Sequence, residues 1–595
     1  MQQPTRRQAL AGAAGVAAGL GFAQAAAASP PDTPAALRRA GELTRGMSLE
    51  EKVGQLFVLE VYGQAADTVH AGNRSLYGVD TPAEVLEKYR PGGVIYFDAR
   101  RGPDNVRAPR QIARLSNGLQ RASRLPLIIS VDQEGGSVVY RLTDPATLMP
   151  GNMALAASGA ARDSHDSARV IGTELAAVGI NQNYAPVADV NINPENPVIG
   201  VRSFGSDPGL CAELVASAVR GYHRGRVASA AKHFPGHGDT DTDSHTGLPE
   251  ITHTREELDR IDLPPFRAAV RRGVDTIMTA HIVVPALDPS GVPATMSHPI
   301  VTGLLREELG FEGLIVTDAL DMRGASGEFP PDVAPVRALQ AGCDQLVLAP
   351  QTDVAYAAVL DAVRSGELSE ERIDASVRRV LLHKLRRGLF LRPYVDEDRA
   401  ERVAGRRRHR AVARAVTDRT VTLVRNADGL LPLDPGTARS VLVTGWGVTT
   451  TATLADAIED HPGQTTQVLQ TGSRPSAARI EEAVAAARAA DLVVVSCNAA
   501  AAWGEGGVAQ AALVEAVRAT GTPVVAVAVR NPYDIRRFPA VPAYLATYSY
   551  GAPSLDAVAR ALYGELNPGG RLPVSVPTLD DPEATLYPFG HGLSY

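Results

Sequence analysis

The chain has 595 residues, 45% of them hydrophobic and 21% charged, with a formal net charge of -7. That length exceeds what one core usually serves, so two domains are expected. The acidic balance carries no surplus for phosphate backbones and excludes nucleic acid as the main partner; the cluster Arg406, Arg407, Arg408 and Arg410 is read as a solvated helix face.

Residues 1–28 read as an export signal: Thr5-Arg6-Arg7-Gln8-Ala9-Leu10, a mildly apolar alanine and glycine run, then small residues from Ala25 to Ala28 suited to cleavage. Paired arginines before a weakly hydrophobic stretch point to the twin-arginine route and a secreted or wall-associated protein. The stretch is too short and too rich in alanine and glycine to span a membrane. Cys211, Cys343 and Cys497 are odd in number and set in apolar surroundings, so buried thiols and no disulfide framework are expected.

Eight strand-like apolar runs follow, at 55–61, 93–97, 125–131, 184–190, 227–231, 274–280, 313–317 and 343–349, with helical patterns between them. Strands buried on both faces and separated by helices predict a parallel sheet, and eight of them predict closure into a TIM-type (β/α)8 barrel, set here at 32–392. Polar residues stand directly after several runs: Asp132-Gln133-Glu134-Gly135-Gly136 after the third, Lys232-His233 after the fifth, His281 after the sixth and Asp318 after the seventh. A barrel gathers such strand ends over one mouth. Asp189, after the fourth run, is read as a structural acid of that mouth.

The segment Lys232-His233-Phe234-Pro235-Gly236-His237-Gly238-Asp239-Thr240-Asp241-Thr242-Asp243-Ser244-His245 is too polar and glycine-rich for core. Asp243 and His245 are two apart, close enough for the carboxylate to accept a proton from one imidazole nitrogen and leave the other for acid/base work. The bland reading is a metal-binding or merely solvated loop, for which zinc would need three or four converging ligands. His237 and His281 are either site residues or partners of neighbouring carbonyls.

A helix over 371–390 closes the barrel, 393–410 reads as a helical linker, and 411–595 as an open α/β sandwich with strands at 440–444, 492–496, 523–529 and 543–548 and a helix at 477–490. Gly445-Trp446-Gly447 lacks the full dinucleotide fingerprint.

These stretches, with Asn183-Tyr184-Ala185-Pro186-Val187-Ala188-Asp189-Val190, Arg202-Ser203-Phe204-Gly205, Gly313-Leu314-Ile315-Val316-Thr317-Asp318, the segment from Gly564 to Pro573 and the closing Pro588-Phe589-Gly590-His591-Gly592-Leu593-Ser594-Tyr595, resemble glycoside hydrolase family 3, in its β-N-acetylglucosaminidase branch. The resemblance implies a retaining mechanism through a covalent glycosyl-enzyme, with Asp318 as nucleophile, kept ionised by Lys232 and Arg202. Retaining glycosidases usually donate the leaving-group proton from a second carboxylic acid. In this branch the role falls to His245 oriented by Asp243, an arrangement that leaves no anion beside the departing sugar. Asp132, Arg202, Lys232 and His233 are implied to hold the hydroxyls of the non-reducing sugar. Asp132 could instead tie down the Gly135-Gly136 turn, and Lys232 could pair with Asp318 or another acid.

One departure concerns Ser137, which stands where a basic residue is common; Val138-Val139-Tyr140-Arg141 runs one residue longer than the pattern, so Arg141 is a substrate candidate at a shifted offset. The rival acid is Glu505 in Trp503-Gly504-Glu505-Gly506-Gly507, the place from which a family 3 β-glucosidase supplies its glutamate, but the Asp-Arg that tends to follow is absent. Sequence also leaves open a β-N-acetylglucosaminide phosphorylase and, in a different class, a carbohydrate-binding protein on a decayed barrel. The acetamido preference is inherited from the resemblance, and Ala319 after Asp318 leaves no adjacent acid of the kind substrate-assisted hexosaminidases use. The expected partners are terminal N-acetylglucosamine conjugates such as murein fragments or chitin oligosaccharides; the mechanism calls for no metal or organic cofactor, and a monomer is expected.

Overall fold

A computed structural model describes residues 33–436, 438–501 and 505–595. The export signal expected over residues 1–28 lies outside the described residues. The first domain is built on β1 (Phe57–Glu60), β2 (Gly93–Ile95), β3 (Ile128–Val131), β4 (Gln182–Asn183), β5 (Ala228–Phe234), β6 (Thr276–Thr279), β7 (Leu314–Val316) and β8 (Leu346–Val347). They pair in the order β7-β6-β5-β4-β3-β2-β1-β8, all parallel, and a bridge between Val316 and Gln345 joins the two ends of that row. The expected barrel is therefore present.

Alternation along the strands explains its two cores. Val58, Ile95, Ile128, Ala230, Met278 and Val347 point inward and pack together. Their neighbours Phe57, Leu59, Val94, Ile129, Ala231 and Ile277 point outward into the layer beneath the helices. Helix starts follow local chemistry: the Ser48 and Thr81 hydroxyl oxygens accept the Glu51 and Glu84 backbone N–H, and their own backbone N–H groups donate in return to the Glu51 and Glu84 carboxylates.

Two expected strands are displaced. The fourth is β4 at Gln182–Asn183 rather than 184–190: Tyr184 to Val190 continues alongside β5, bonded to it through the Val187–Lys232 bridge and the Ala230 N–H to Ala185 carbonyl bond at 2.9 Å, without forming a regular strand. The fifth runs on to Phe234, so Lys232 and His233 belong to the strand and do not stand beyond its end. Their polarity hid this, since a barrel strand becomes polar where it reaches the mouth.

The closing helix Glu370–Arg386 buries Lys384, whose Nζ donates to Gln55 Oε1 at 2.6 Å. Burial pulls this lysine from its usual 10.5 down to about 7. The unfolded chain thus binds a proton that the folded chain has released between those values, and wild-type stability rises with pH across that window. Lys384→Met removes the group, so its melting temperature should exceed that of wild type most at pH 7, with the gap narrowing toward pH 10; a gap constant with pH would contradict this assignment.

After the helices Glu397–Val403 and Arg407–Asp418, the second domain forms a sheet of β9 (Thr422–Asn426), β10 (Ser440–Gly445), β11 (Thr465–Gln470), β12 (Leu492–Cys497), β13 (Val524–Ala528) and β14 (Ala543–Ala546), in the order β11-β10-β12-β13-β14-β9. Only β9 is antiparallel to its neighbour. Separate apolar clusters cover the two faces, as an α/β sandwich requires. The sequence pattern passed over β9 and β11: β11 is a mostly polar, exposed edge strand, and β9 ends in Arg425-Asn426. Arg407, Arg408 and Arg410 are exposed, as a solvated helix face requires, whereas Arg406 stands half-buried just before that helix and donates from Nε to His409 Nε2 at 2.8 Å; the three cysteines are buried free thiols. Among the described residues no helix is long and apolar enough to cross a membrane.

The domains meet through backbone as well as side chains. Asn531 Oδ1 accepts the Val201 N–H at 3.1 Å, and Pro573 O accepts the Ser206 N–H at 3.0 Å, so the segment carrying Arg202 is gripped at both ends by the second domain. Gly205 has φ +133, and a Cβ there would sit 2.2 Å from Pro573 O, which ties two of the sequence motifs to one close approach. Ser137 is buried here: its hydroxyl lies 2.7 Å from Ser549 Oγ and accepts the Tyr550 N–H at 3.0 Å, while its carbonyl accepts the Tyr550 hydroxyl at 2.5 Å. Ser137 therefore takes part in docking the barrel onto the second domain.

Candidate active site

The C-terminal ends of the barrel strands enclose a cavity of about 120 Å³, lined by Asp132, Arg141, Arg202, Lys232, His233, His245 and Asp318 among others. All seven come from sequence stretches expected at the mouth. Asp243 stands one step behind, with Oδ1 accepting from the backbone N–H of His245 at 2.9 Å and lying 2.7 Å from His245 Nδ1.

Asp318 follows β7, and its Oδ1 accepts the Ala319 N–H at 2.8 Å. Burial pushes its carboxyl upward, but His233, His281, Lys232 and the Ala319 N–H outweigh that and hold it below the usual 3.8. The cavity thus presents a carboxylate that is ionised throughout the neutral range.

Lys232 pairs with neither Asp318 nor a single acid. Its Nζ is 2.8 Å from Asp132 Oδ1 and 2.8 Å from Glu134 Oε1. Glu134 also grips Arg202, with Nε and Nη2 donating at 3.0 and 2.9 Å. Buried Glu134 would be raised by desolvation, yet Arg202 and Lys232 drive it far below the usual carboxylate range. This residue escaped the sequence reading as a site residue, although it sits inside the Asp-Gln-Glu-Gly-Gly motif. A buried glutamate two residues after a strand-end aspartate was the available signal. Asp132 does not tie down the glycine turn; it faces Lys232, with Arg141 Nη2 3.9 Å from its other oxygen.

Asp189 has a more specific job than closing the mouth. Its Oδ2 lies 2.7 Å from His233 Nδ1, and its Oδ1 accepts the backbone N–H of His233 and of His237 at 3.0 and 2.9 Å. His233 is thereby turned so that Nε2 meets Arg202 Nη2 at 3.3 Å. His281 bonds Thr295 Oγ1 and the Ala319 carbonyl at 2.9 and 3.0 Å, the carbonyl-partner reading, and does not line the cavity.

The loop after β5 is held by its own groups. His237, pushed by burial down to about 4, is 2.7 Å from Thr240 Oγ1 and 3.1 Å from Ser244 Oγ. Ser244 O also accepts the Gly324 N–H at 3.0 Å from the segment after β7. A Cβ at Gly324 would stand 3.1 Å from that oxygen and 3.0 Å from His281 Cβ, so glycine lets the Asp318-bearing and His245-bearing loops dock. His245 keeps 56% of its side chain exposed at the rim. Among the described residues no cluster of three or more potential metal ligands forms.

Glu505 starts the helix Glu505–Arg518, is 91% exposed, has Arg474 Nη1 at 3.9 Å and does not line the cavity.

Comparison with known proteins accounts for both halves. The glycosyl hydrolase family 3 N terminal domain matches residues 48–382 and the family's C-terminal domain matches 421–595, so the chain belongs to glycosyl hydrolase family 3. It is 38% identical to "Beta-hexosaminidase A" of Pseudoalteromonas piscicida over 59% of this chain and 62% of that protein. It is 32% identical to "Beta-N-acetylglucosaminidase/beta-glucosidase" of Cellulomonas fimi over 65% of this chain and 66% of that protein. The matches thus span a little under two thirds of each relative's length. Among solved structures, a glycoside hydrolase family 3 beta-N-acetylglucosaminidase from Paenibacillus sp. str. FPU-7 superposes with a TM-score of 0.80 at 36% identity, covering 90% of this chain and all of that one.

Proposed function

We propose that the protein is a retaining exo-β-N-acetylglucosaminidase that releases terminal non-reducing N-acetylglucosamine through a covalent glycosyl-enzyme on Asp318. The observation that carries this reading is that Asp318 and His245 line one cavity, with His245 Nδ1 tied to Asp243, while Glu505 lies exposed outside it. A carboxylate oxygen of Asp318 attacks the anomeric carbon as the bond to the leaving oxygen breaks, and His245 Nε2–H supplies the proton to that oxygen. The neutral imidazole then takes a proton from water, whose oxygen attacks the anomeric carbon and frees Asp318. Asp243 fixes the ring and balances its charge, the part a carboxylate plays in a hydrolase triad. Asp132, Arg202, Lys232, His233 and Arg141 hold the sugar's hydroxyls.

The names of the Pseudoalteromonas and Paenibacillus relatives support the acetamido preference, and that of the Cellulomonas relative favours β-glucosidase activity as a second reading. Parallel assays on aryl N-acetylglucosaminides and aryl glucosides separate the two, and adding inorganic phosphate while looking for glycosyl phosphate separates hydrolase from phosphorylase. In the same reading the enzyme is exported by the twin-arginine route, secreted or held at the wall, and meets murein fragments or chitin oligosaccharides there.

His245→Ala should lower turnover of N-acetylglucosaminides with poor leaving groups by ~10²-fold or more, with far less effect on activated aryl substrates, and Glu505→Ala should leave both unchanged. A large loss in the Glu505 variant with a mild one in the His245 variant would reverse the assignment.

A further inference from the structure

The loop that carries Asp243 and His245 is closed at its base by a histidine that the mechanism above does not use. Asp239 precedes Asp243 and His253 follows His245, and His253 Nε2 stands 3.0 Å from Asp239 Oδ2, so their contact forms a neck to the loop. The other ring nitrogen, Nδ1, is 2.7 Å from Asp262 Oδ2. Asp262 is buried where the helical turn Leu258–Asp262 runs into the barrel helix Leu263–Arg271. Each nitrogen of the ring faces a carboxylate oxygen, so both carry hydrogen and the ring is a cation held between two anions. The hydrogen bonds to Asp239 and then Asp262 raise His253 to about 10, against the downward pull of burial.

The backbone is packed around the same neck. Gly236, at the start of the loop, has φ +142, and a Cβ there would sit 2.8 Å from Asp262 Cβ. On the returning limb, Pro249 O accepts the Val283 N–H at 2.8 Å and Val283 O accepts the Ile251 N–H at 2.9 Å, which lays that limb along the segment after β6. Between the limbs, Asp241, His245 and Thr246 are exposed, and Ser244 ties the tip to His237 and Gly324. A pin at the neck shortens the stretch that is free to move, and misplacing a reacting group by about 1 Å can cost ~10²-fold in rate.

We propose that His253 is a positioning residue of the active site: clasped between Asp239 and Asp262, it locks the neck of the loop and so keeps His245 at the leaving oxygen of a bound glycoside, an inference that rests on the glycosidase reading above. Asp318 has no share in the clasp, since β7 and the Ala319 N–H set its place. Opening the clasp therefore weakens proton donation and leaves nucleophilic attack intact.

Asp239→Ala opens the clasp on the loop side and leaves the buried His253–Asp262 pair in place. It should lower kcat/KM for chitobiose, whose leaving sugar needs a proton, by about tenfold, the scale of one charge-assisted hydrogen bond. For a dinitrophenyl N-acetylglucosaminide, whose leaving group departs unprotonated, the loss should stay within about twofold. His253→Gln should show the same split, and adding Asp239→Ala to it should cost little more, because both substitutions open one contact. Equal losses on the two substrates, no loss on chitobiose, or independent losses in the double variant would overturn the role. Amide hydrogen exchange read by mass spectrometry keeps this test apart from the glycosidase reading. Peptides covering 240–252 should exchange faster in the Asp239→Ala protein than in wild type, with the barrel strands unchanged. A wild type that turns over no N-acetylglucosaminide would sink the glycosidase reading, whereas unchanged exchange in that loop would sink the clasp.

Discussion

Asp318→Asn is expected to lower kcat for aryl N-acetylglucosaminides by on the order of 10⁴-fold or more, because in the proposed mechanism it removes the carboxylate that attacks the anomeric carbon. The same site makes a second expectation about acid. Since His233, His281 and Lys232 overcome the effect of burial and keep the Asp318 carboxyl below 3.8, its ionisation sets no acid limb above about pH 4 in the kcat/KM profile. A fluorinated mechanism-based glycoside should leave its label on Asp318 in wild type and on no residue of the variant. Label on another carboxylate, or a variant within tenfold of wild type, would remove Asp318 from its assigned role. Stability provides a control. A group with a depressed folded pKa contributes stability above its unfolded value and loses it as pH falls through the folded one, so the Asn variant should melt more like wild type below pH 3 than at pH 7.

Glu134→Gln should have the largest structural effect at the site. The carboxylate neutralises two buried cations at once, through paired bonds from Arg202 at 3.0 and 2.9 Å and a contact of 2.8 Å with Lys232. Breaking a buried pair by removing one partner typically costs about 3–5 kcal/mol, because the charge left behind is uncompensated. Thermal unfolding followed by calorimetry should show the barrel transition moved down, and substrate affinity should fall because Arg202 and Lys232 no longer hold their positions. The sign of the pH effect is fixed by the direction of the shift: Glu134 is lowered from 4.5, so its contribution is complete above that value and disappears as pH falls through the much lower folded one. The stability gap between wild type and variant should therefore close in strong acid. A gap that widens there, or a variant with unchanged melting and KM, would deny Glu134 this positioning role.

The barrel and most of its mouth were legible in the sequence because the chemistry follows apolar runs at once. Leu314-Ile315-Val316 becomes β7 and Asp318 follows it, so position alone places it at the mouth, while the nucleophile role comes from the family resemblance. Period and polarity failed where a strand itself carries the function. Lys232 and His233 read as loop since they are charged or polar, yet both are paired in β5, with Asp132 and Glu134 facing one and Asp189 the other. Glu134 was hidden for a related reason: its value lies in partners 68 and 98 residues away, Arg202 and Lys232, and no local pattern reports a contact across the barrel. Ser137 could be seen as a departure but not explained, since its partners Ser549 and Tyr550 belong to another domain. The edge strand β11 lacked the aliphatic run by which its buried neighbours were found.

The grip of Asn531 and Pro573 on either end of the segment around Arg202 bears on any attempt to shrink this protein. Every side chain assigned to bond cleavage comes from the barrel domain, which invites trimming to a minimal catalyst. Yet the Arg202 guanidinium, proposed to help cradle the sugar, owes its backbone path to the second domain. Cutting the chain after the barrel would leave the scissors intact and loosen the hand that holds the sugar.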